Sequence, residues 1–199
     1  YRPFSAKYLL NVLPESVKKI AVLDRTKEPG GVGEPLYLDV ISALRGTKFE
    51  DALIVGGRYG LGSKDTQPGD VLAVYENLWS ENPKKEFTIS ITDDVTNLSL
   101  PVKENPDVAP EGTKACKFWG LGADGTVGAN KNSVKIIGDY TDKKVQAYFQ
   151  YDSKKSGGVT ISHLRFGDKP IKSTYYVKQA DFVACHNSAY LQQYDMVQD

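Results

Sequence analysis

The stretch Phe118-Trp-Gly-Leu-Gly-Ala-Asp-Gly-Thr-Val-Gly-Ala-Asn-Lys131 decides the fold of the second half of the chain. A short apolar run, Cys116 to Trp119, predicts a strand that leads into the glycines, and a helix is predicted from about Gly128 to Gly138. Glycines let the backbone approach a phosphate, and the first N–H groups of a helix point at it. Strand, glycine loop and helix together therefore predict an anion-binding corner.

Within this corner, Gly120, Gly122 and Gly125 match the pattern G-x-G-x-x-G, which alone is weak evidence for a dinucleotide. Four polar residues of the loop and of the first helical turn could contact an anion: Asp124, Thr126, Asn130 and Lys131. The alternative is a tight strand-to-helix turn without a ligand. A nicotinamide site also requires an acidic residue near the end of the second strand. Asp152 occupies that place, but the lysines that follow it suit phosphates better than a ribose diol.

The next loop is the stronger candidate for a phosphate site, with the sequence Ser153-Lys154-Lys155-Ser156-Gly157-Gly158. Two adjacent lysines, two hydroxyls and two glycines supply positive charge and backbone N–H groups, which a phosphorylated ligand requires. A solvated hairpin turn is the alternative that the same composition allows.

Strands that alternate with helices predict an α/β protein with two three-layer segments and mostly parallel sheets. The first half is predicted to contain helices over residues 4–17, 34–44 and 70–79, and strands over 19–24, 52–57 and 86–92. The second half is predicted to contain further strands over 145–151, 159–164, 173–177 and 180–184, and a helix over 188–196 that Ser188 caps.

Residues 101–113 interrupt this alternation and contain Pro101, Pro106 and Pro110 with charged residues between them. We interpret the segment as a linker between two domains, residues 1–100 and 114–199.

Composition narrows the function classes. The 199 residues carry no net charge and the pI is about 6.9, which gives no indication of a nucleic-acid partner. No apolar run approaches the ~20 residues of a membrane helix. Two cysteines, Cys116 and Cys185, are too few for a [4Fe–4S] cluster, which usually takes four thiolates. We interpret them as buried thiols of a cytoplasmic protein.

Other polar motifs carry weaker signals. His163 and Arg165 share one strand face and could be catalytic, but ordering an interface or a neighbouring loop is the favoured role, and His186 is interpreted as a capping or interface residue. Residues 24–31 follow a strand, where α/β sheets place ligand loops. Packing between domains is the favoured role of this loop, and an internal set of ion pairs is the other alternative. Asp93, Asp94 and Asn97 could mimic a magnesium site. No catalytic residue and no metal ligand are predicted.

The wording of the glycine loop resembles the start of the gamma-type domain of pyruvate:ferredoxin (flavodoxin) oxidoreductases. Three later motifs are similar to the same domain: Tyr151-Asp-Ser-Lys-Lys-Ser-Gly-Gly158, Ser162-His-Leu-Arg-Phe-Gly167 and Asp181-Phe-Val-Ala-Cys-His-Asn187. Four earlier motifs also resemble the family: Leu23-Asp-Arg-Thr-Lys-Glu-Pro-Gly30, Gly33-Glu-Pro-Leu36, Gly56-Gly-Arg-Tyr-Gly60 and Asp93-Asp-Val-Thr-Asn-Leu-Ser99. The resemblance covers nearly the whole chain, in family order.

This resemblance implies a parent enzyme that decarboxylates pyruvate oxidatively with thiamine diphosphate and Mg²⁺, in anaerobic metabolism. Electrons would leave through [4Fe–4S] clusters to ferredoxin or flavodoxin, and coenzyme A would accept the acetyl group. The chain would cover the end of the transketolase C-terminal-like domain and the first part of the gamma-like domain. It would be inactive alone, and Lys154 and Lys155 would help to hold the phosphates of coenzyme A.

The remaining expectations concern context and alternatives. Both ends of the chain read as cut, so the partners would be the other domains of the parent, itself expected to be a homodimer. A stand-alone nucleotide-binding or scaffold module that shares the gamma-like fold is the alternative. A nicotinamide dehydrogenase rests only on G-x-G-x-x-G.

Overall fold

The computed structural model describes residues 2–93, 95–152 and 157–197, and the chain divides into two compact units, residues 1–106 and 107–199. The boundary between the units falls inside the proline-containing segment 101–113. In the described part of the chain, no helix is both long enough and apolar enough to cross a lipid bilayer.

The first unit is built on a parallel sheet of three strands in the order β1-β2-β3. The strands are β1 (Lys19–Asp24), β2 (Leu53–Arg58) and β3 (Glu86–Thr88). The described residues of this unit also form three α-helices and a short 3-10 helix: α1 (Ala6–Val12), α2 (Pro35–Leu44), Leu61–Ser63 and α3 (Pro68–Trp79).

Helices cover both faces of this sheet. Buried Val22 of β1 packs with Val40 of α2 on one face, and α1 adds side chains to the same cluster. Buried Val55 of β2 packs with Val74 of α3 on the other face. The two strand residues point to opposite faces because side chains alternate along a strand. The predicted three-layer α/β arrangement is therefore present here.

Two elements of the first unit are shorter than the sequence predicts. Helix α1 ends at Val12, because a proline at position 14 disfavours helical geometry at Leu13, which is extended. Strand β3 ends at Thr88, because Ser90 adopts a positive φ of 69° and its amide donates to Oδ1 of Asp70 at 3.0 Å.

The second unit is built on a four-stranded sheet in the order β5-β6-β4-β7. The strands are β4 (Lys114–Leu121), β5 (Lys144–Tyr151), β6 (Val159–Gly167) and β7 (Phe182–Cys185), and α4 spans Thr126–Tyr140. Helix α4 lies against β4, β5 and β6.

The α/β class is confirmed, but this second sheet is mixed where a mostly parallel sheet was expected. Only β4 and β7 are parallel, whereas β6 is antiparallel to both β4 and β5. The seven residues between β5 and β6 explain the difference, since a connection this short makes a hairpin, and a parallel crossover needs a dozen residues or more.

The predicted strand over residues 173–177 is wrong. Its backbone groups bind side chains of β6 in place of a neighbouring strand. One guanidinium nitrogen of Arg165 donates to the carbonyls of Ser173 and Tyr175, at 3.4 and 2.7 Å. The amide of Val177 donates to Nδ1 of His163 at 3.2 Å. The segment is thus held across the sheet without joining it.

The predicted helix over residues 188–196 is wrong beyond its first turn. Only a 3-10 helix forms, over Ser188–Gln192, and Asn187 caps it in place of Ser188 by accepting from the amide of Ala189 at 3.1 Å. The chain then turns so that Tyr194 packs against Trp119, with ring centroids 5.1 Å apart. Trp119, Tyr190 and Met196 form the small core on the face opposite α4.

Candidate anion-binding site

The glycine loop brings the end of β4 into direct contact with the start of α4. A Cβ atom at Gly120 would lie 2.5 Å from Oγ1 of Thr126, so only glycine permits this approach. The left-handed φ values of Ala123 and Gly125, 74° and 89°, then reverse the chain within a few residues. The loop is therefore tight, as the spacing of its glycines predicts.

Asp124 closes the loop on itself. Its carboxylate accepts from the amide of Leu121 at 2.7 Å and from the amide of Thr126 at 2.8 Å. Burial raises the pKa of Asp124, but these hydrogen bonds outweigh burial and bring the pKa below its usual value. A structural role follows for Asp124, since a carboxylate in this position competes with an incoming anion for the amide of Thr126.

Further amides remain at the start of α4. The amide of Ala129 donates to the carbonyl of Gly125 at 2.9 Å. Val127 and Gly128, in the first turn, precede that bond, and amides in this part of a helix have no intrahelical acceptor. These two N–H groups and the helix dipole are what this corner offers to a phosphate.

His186, which the sequence analysis interprets as a capping or interface residue, lies at the same corner. Nδ1 of His186 is 2.8 Å from Oγ1 of Thr126, and the amide of His186 donates to the carbonyl of Trp119 at 2.9 Å. The imidazole is exposed, whereas the threonine is buried. Strand β7 pairs with β4 in parallel, so the residue after β7 lies beside the glycine loop that follows β4. The order of elements along the chain was the available signal for this position of His186.

Two other predicted candidates do not meet the loop in the same way. The ammonium of Lys131 lies 5.3 Å from the ring centroid of Phe149, a residue of β5. Asn130 is buried beneath α4, and its Nδ2 has no hydrogen-bond partner among the described residues.

The lysine loop itself, with Ser153, Lys154, Lys155 and Ser156, lies outside the described residues. Its flanks are described, and they adjoin the glycine loop. The amide of Gly122 donates to the carbonyl of Gly158 at 2.7 Å, and the amide of Asp152 donates to the carbonyl of Val159 at 3.1 Å. The glycine loop therefore starts beside the flanks of the lysine loop, at one end of the strands of the second sheet.

His163 and Arg165 belong to a buried cluster on the other face of this sheet. His163 stacks on Tyr176 with ring centroids 4.6 Å apart. Burial, together with the charges of Lys117 and Arg165, lowers the pKa of His163 to about 3. A neutral, stacked imidazole that accepts a hydrogen bond from the amide of Val177 holds a loop in place. This agrees with the favoured interpretation of the sequence, in which His163 orders a neighbouring loop.

The loop over residues 24–31 is held by polar contacts within its own unit. The carboxylate of Asp24 accepts from the amides of Leu36 and Tyr37, at 2.9 and 3.1 Å, and so caps α2. The carboxylate of buried Glu34 accepts a hydrogen bond from Nε of Arg58 at 2.5 Å. This ion pair joins two residues outside positions 24–31, so the favoured packing between domains and the internal set of ion pairs both stay predictions for that loop.

The acidic pair Asp93 and Asp94 gives no metal site in the described part of the chain. The carboxylate of Asp93 accepts hydrogen bonds from the amides of Val95 and Thr96, so it has partners within its own turn. Asp94 lies outside the described residues. The described residues contain no group of three or more histidine, cysteine or acidic side chains that could hold a metal ion.

Comparison with known proteins agrees with the resemblance in the sequence. Residues 115–199 match the family model described as pyruvate ferredoxin/flavodoxin oxidoreductase. The whole chain is 62% identical to pyruvate:ferredoxin oxidoreductase of Moorella thermoacetica. Over 99% of its length it is 56% identical to pyruvate-flavodoxin oxidoreductase of Enterobacter agglomerans and 57% identical to the mitochondrial pyruvate dehydrogenase [NADP(+)] of Euglena gracilis. The chain spans 17% of the length of the first two proteins and 11% of the third. The chain belongs to the pyruvate ferredoxin/flavodoxin oxidoreductase family.

Proposed function

We propose that the chain is part of an enzyme that decarboxylates pyruvate oxidatively to acetyl-coenzyme A and CO₂, with ferredoxin or flavodoxin as the electron acceptor. The names of the relatives support pyruvate as the substrate and ferredoxin or flavodoxin as the electron acceptor. The first unit would be the end of a transketolase C-terminal-like domain and the second unit the start of a gamma-like domain. The complete enzyme would be a cytoplasmic homodimer, and this stretch alone would be inactive.

The residues of this chain do not fit the iron–sulfur group of such an enzyme. In the pairing of β4 with β7, Cys185 lies opposite Trp119, which is three positions after Cys116 in β4. Because side chains alternate along a strand, the two thiols point to opposite faces of the sheet. Clusters, thiamine diphosphate and Mg²⁺ are therefore assigned in this proposal to other parts of the longer polypeptide.

The contribution of this chain would be to hold the phosphates of coenzyme A. The observation that carries the proposal is the hydrogen bond from the amide of Gly122 to the carbonyl of Gly158, because it joins the glycine loop to the end of the lysine loop. In this arrangement Lys154 and Lys155 supply positive charge, and the first turn of α4 supplies N–H donors. Together these groups suit a pyrophosphate and a separate phosphate monoester.

Steady-state kinetics of the complete enzyme test this role. Replacing both lysines, Lys154→Ala with Lys155→Ala, is expected to raise KM for coenzyme A about tenfold and to leave KM for pyruvate unchanged. The matched control is Lys169→Ala with Lys172→Ala, which removes the same charge beyond the opposite end of β6. An unchanged KM for coenzyme A in the first variant would remove the lysine loop from the site.

Dephospho-coenzyme A and NAD extend the test. If the lysines hold the 3′-phosphate, the double variant should lose its defect when dephospho-coenzyme A replaces coenzyme A. Binding of NAD without binding of coenzyme A would instead support a nucleotide module of another kind.

A further inference from the structure

Helix α3 presents an apolar stripe that the described part of the chain leaves open to solvent. Val71, Leu72, Tyr75 and Trp79 expose 42, 37, 59 and 70% of their surface. Residues 71, 75 and 79 are four apart, so they line one side of the helix. An exposed tryptophan beside an exposed tyrosine is typical of a surface that another protein surface covers.

Leu72, Tyr75 and Trp79 of this stripe form one wall of a groove, and a segment around Lys103 and Glu104 forms the other. That second wall is fixed at Gly69, in the first turn of α3. A Cβ atom there would lie 2.2 Å from the carbonyl oxygen of Glu104, and the amide of Gly69 donates to Oδ1 of Asn105 at 2.8 Å. Lys103 also pairs with Glu76 at 2.9 Å. The two walls therefore keep their spacing before anything enters the groove.

The tryptophan at the end of the groove is held in place as well. The ammonium of Lys19 lies 5.0 Å from the ring centroid of Trp79 and donates to the carbonyl of Leu78 at 2.6 Å. A cation over one face of an indole orients the ring and leaves the other face for an apolar contact. An indole that is oriented in advance loses little conformational entropy when a partner docks.

We propose that this groove is a docking surface within the longer enzyme, and that it receives an apolar side chain from a part of the same polypeptide outside these 199 residues. The length of the relatives supports this occupant, because the chain spans only 17% of the length of each of two relatives and most of their sequence lies outside the matched stretch. The area also favours an interdomain contact. Four partly exposed side chains fall short of the roughly 800 Å² per partner that a stable dimer buries. The inference does not depend on the binding of coenzyme A.

The test uses the complete oxidoreductase with Tyr75→p-benzoylphenylalanine, a photo-crosslinking side chain at an exposed position. Enzyme at natural isotope abundance and ¹⁵N-labelled enzyme are mixed in equal amounts under conditions that exchange subunits, and native mass spectrometry confirms the mixed dimers. The mixture is then irradiated, and the cross-linked peptides are identified by mass spectrometry. The expected product joins position 75 to a residue outside this chain, with both peptides of one isotope composition. Peptides of mixed isotope composition, a product within residues 1–199, or no product would overturn the proposal.

A second measurement needs no substitution. Oxidation of Trp79 by hydroxyl radicals in the complete enzyme is expected to be about tenfold slower than in the urea-unfolded enzyme, since a covered groove excludes water. Equal rates would overturn the proposal, whatever the cross-linking shows. Failure of the coenzyme A experiments would leave both of these results unchanged, so the two proposals fail separately.

Discussion

The hydroxyl of Thr126 lies 2.8 Å from Nδ1 of His186, and this contact joins the first turn of α4 to the end of β7. Sixty positions of sequence separate the two residues. The contact forms because β4 and β7 run in parallel, so that the loop after β7 reaches the helix that follows β4. It completes a corner whose other side is the glycine loop.

Removing this hydroxyl should loosen the corner. Thr126→Val keeps the shape of a buried side chain but removes the hydrogen bond, and we expect it to lower the free energy of unfolding by about 1 kcal/mol. Urea unfolding of the chain measures the change. The matched control is Ser133→Ala, on an exposed part of the same helix, where the effect should stay within about 0.5 kcal/mol. Equal effects at both positions would contradict the structural role of the contact.

The glycines of the loop region are not equivalent. Gly120→Ala would place a Cβ atom 2.5 Å from Oγ1 of Thr126, and we expect a loss of about 2 kcal/mol or more in the free energy of unfolding. Gly128→Ala meets no atom within 4 Å inside α4. It should stabilise the chain by about 0.5–1 kcal/mol through helix propensity. Urea unfolding should separate the two variants in sign, and a shared sign would show that the close approach at Gly120 is relieved elsewhere.

Much of the fold could be predicted from the sequence, because the signals are local. Strand β1 was predicted with its observed bounds, Lys19–Asp24, from an uninterrupted apolar run. Helix α2 was predicted to end at Leu44 because a glycine follows at position 46, and this glycine adopts a left-handed conformation. Such elements depend on periodicity and on turn residues, and both can be read within a few positions.

The failures arose where distant side chains replace backbone pairing. Residues 173–177 have the composition of a strand, but Arg165 and His163 of β6 bind their carbonyl and amide groups. The contact of His186 with Thr126 could not be predicted for the same reason, because the strand pairing that brings these two residues together is not local information. The glycine loop was found because its tight turn is encoded in adjacent residues.

The carboxylate of Asp124 should make the corner sensitive to acid. Its pKa in the folded chain is below the ordinary value of 3.8, so the ionised form stabilises the fold above that value. The stabilisation is lost as the pH falls through the lowered pKa. We expect Asp124→Asn to be less stable than the parent chain near neutral pH, and the difference to shrink below about pH 4. Urea unfolding at several pH values measures it, and a difference that is constant with pH would exclude this explanation.

The buried pair of Glu34 and Arg58 should behave differently when one or both partners are replaced. Glu34→Gln leaves a largely buried guanidinium without its counter-charge, and we expect a loss of about 3 kcal/mol in the free energy of unfolding. Replacing both, Glu34→Leu with Arg58→Met, removes the unpaired charge and should cost less than the single change. A double variant less stable than the single variant would show that the pair itself, more than the burial of its charges, holds the loop before α2.

His163 should couple the segment over residues 173–177 to pH. Its pKa falls from 6.5 to about 3 in the folded chain, because burial and neighbouring cations disfavour the charged imidazole. Between these two values the unfolded chain binds more protons than the folded chain, so stability decreases as the pH is lowered from 6.5 towards 3. His163→Gln removes this titration, loses the stacking on Tyr176, and should give a less stable chain with a flatter pH dependence.

Urea unfolding at pH 7, 5 and 4 compares the slopes, and NMR of the imidazole follows its protonation directly. Parallel slopes for the two chains, or an imidazole that protonates near pH 6.5, would mean that water reaches His163 beneath the segment that covers it.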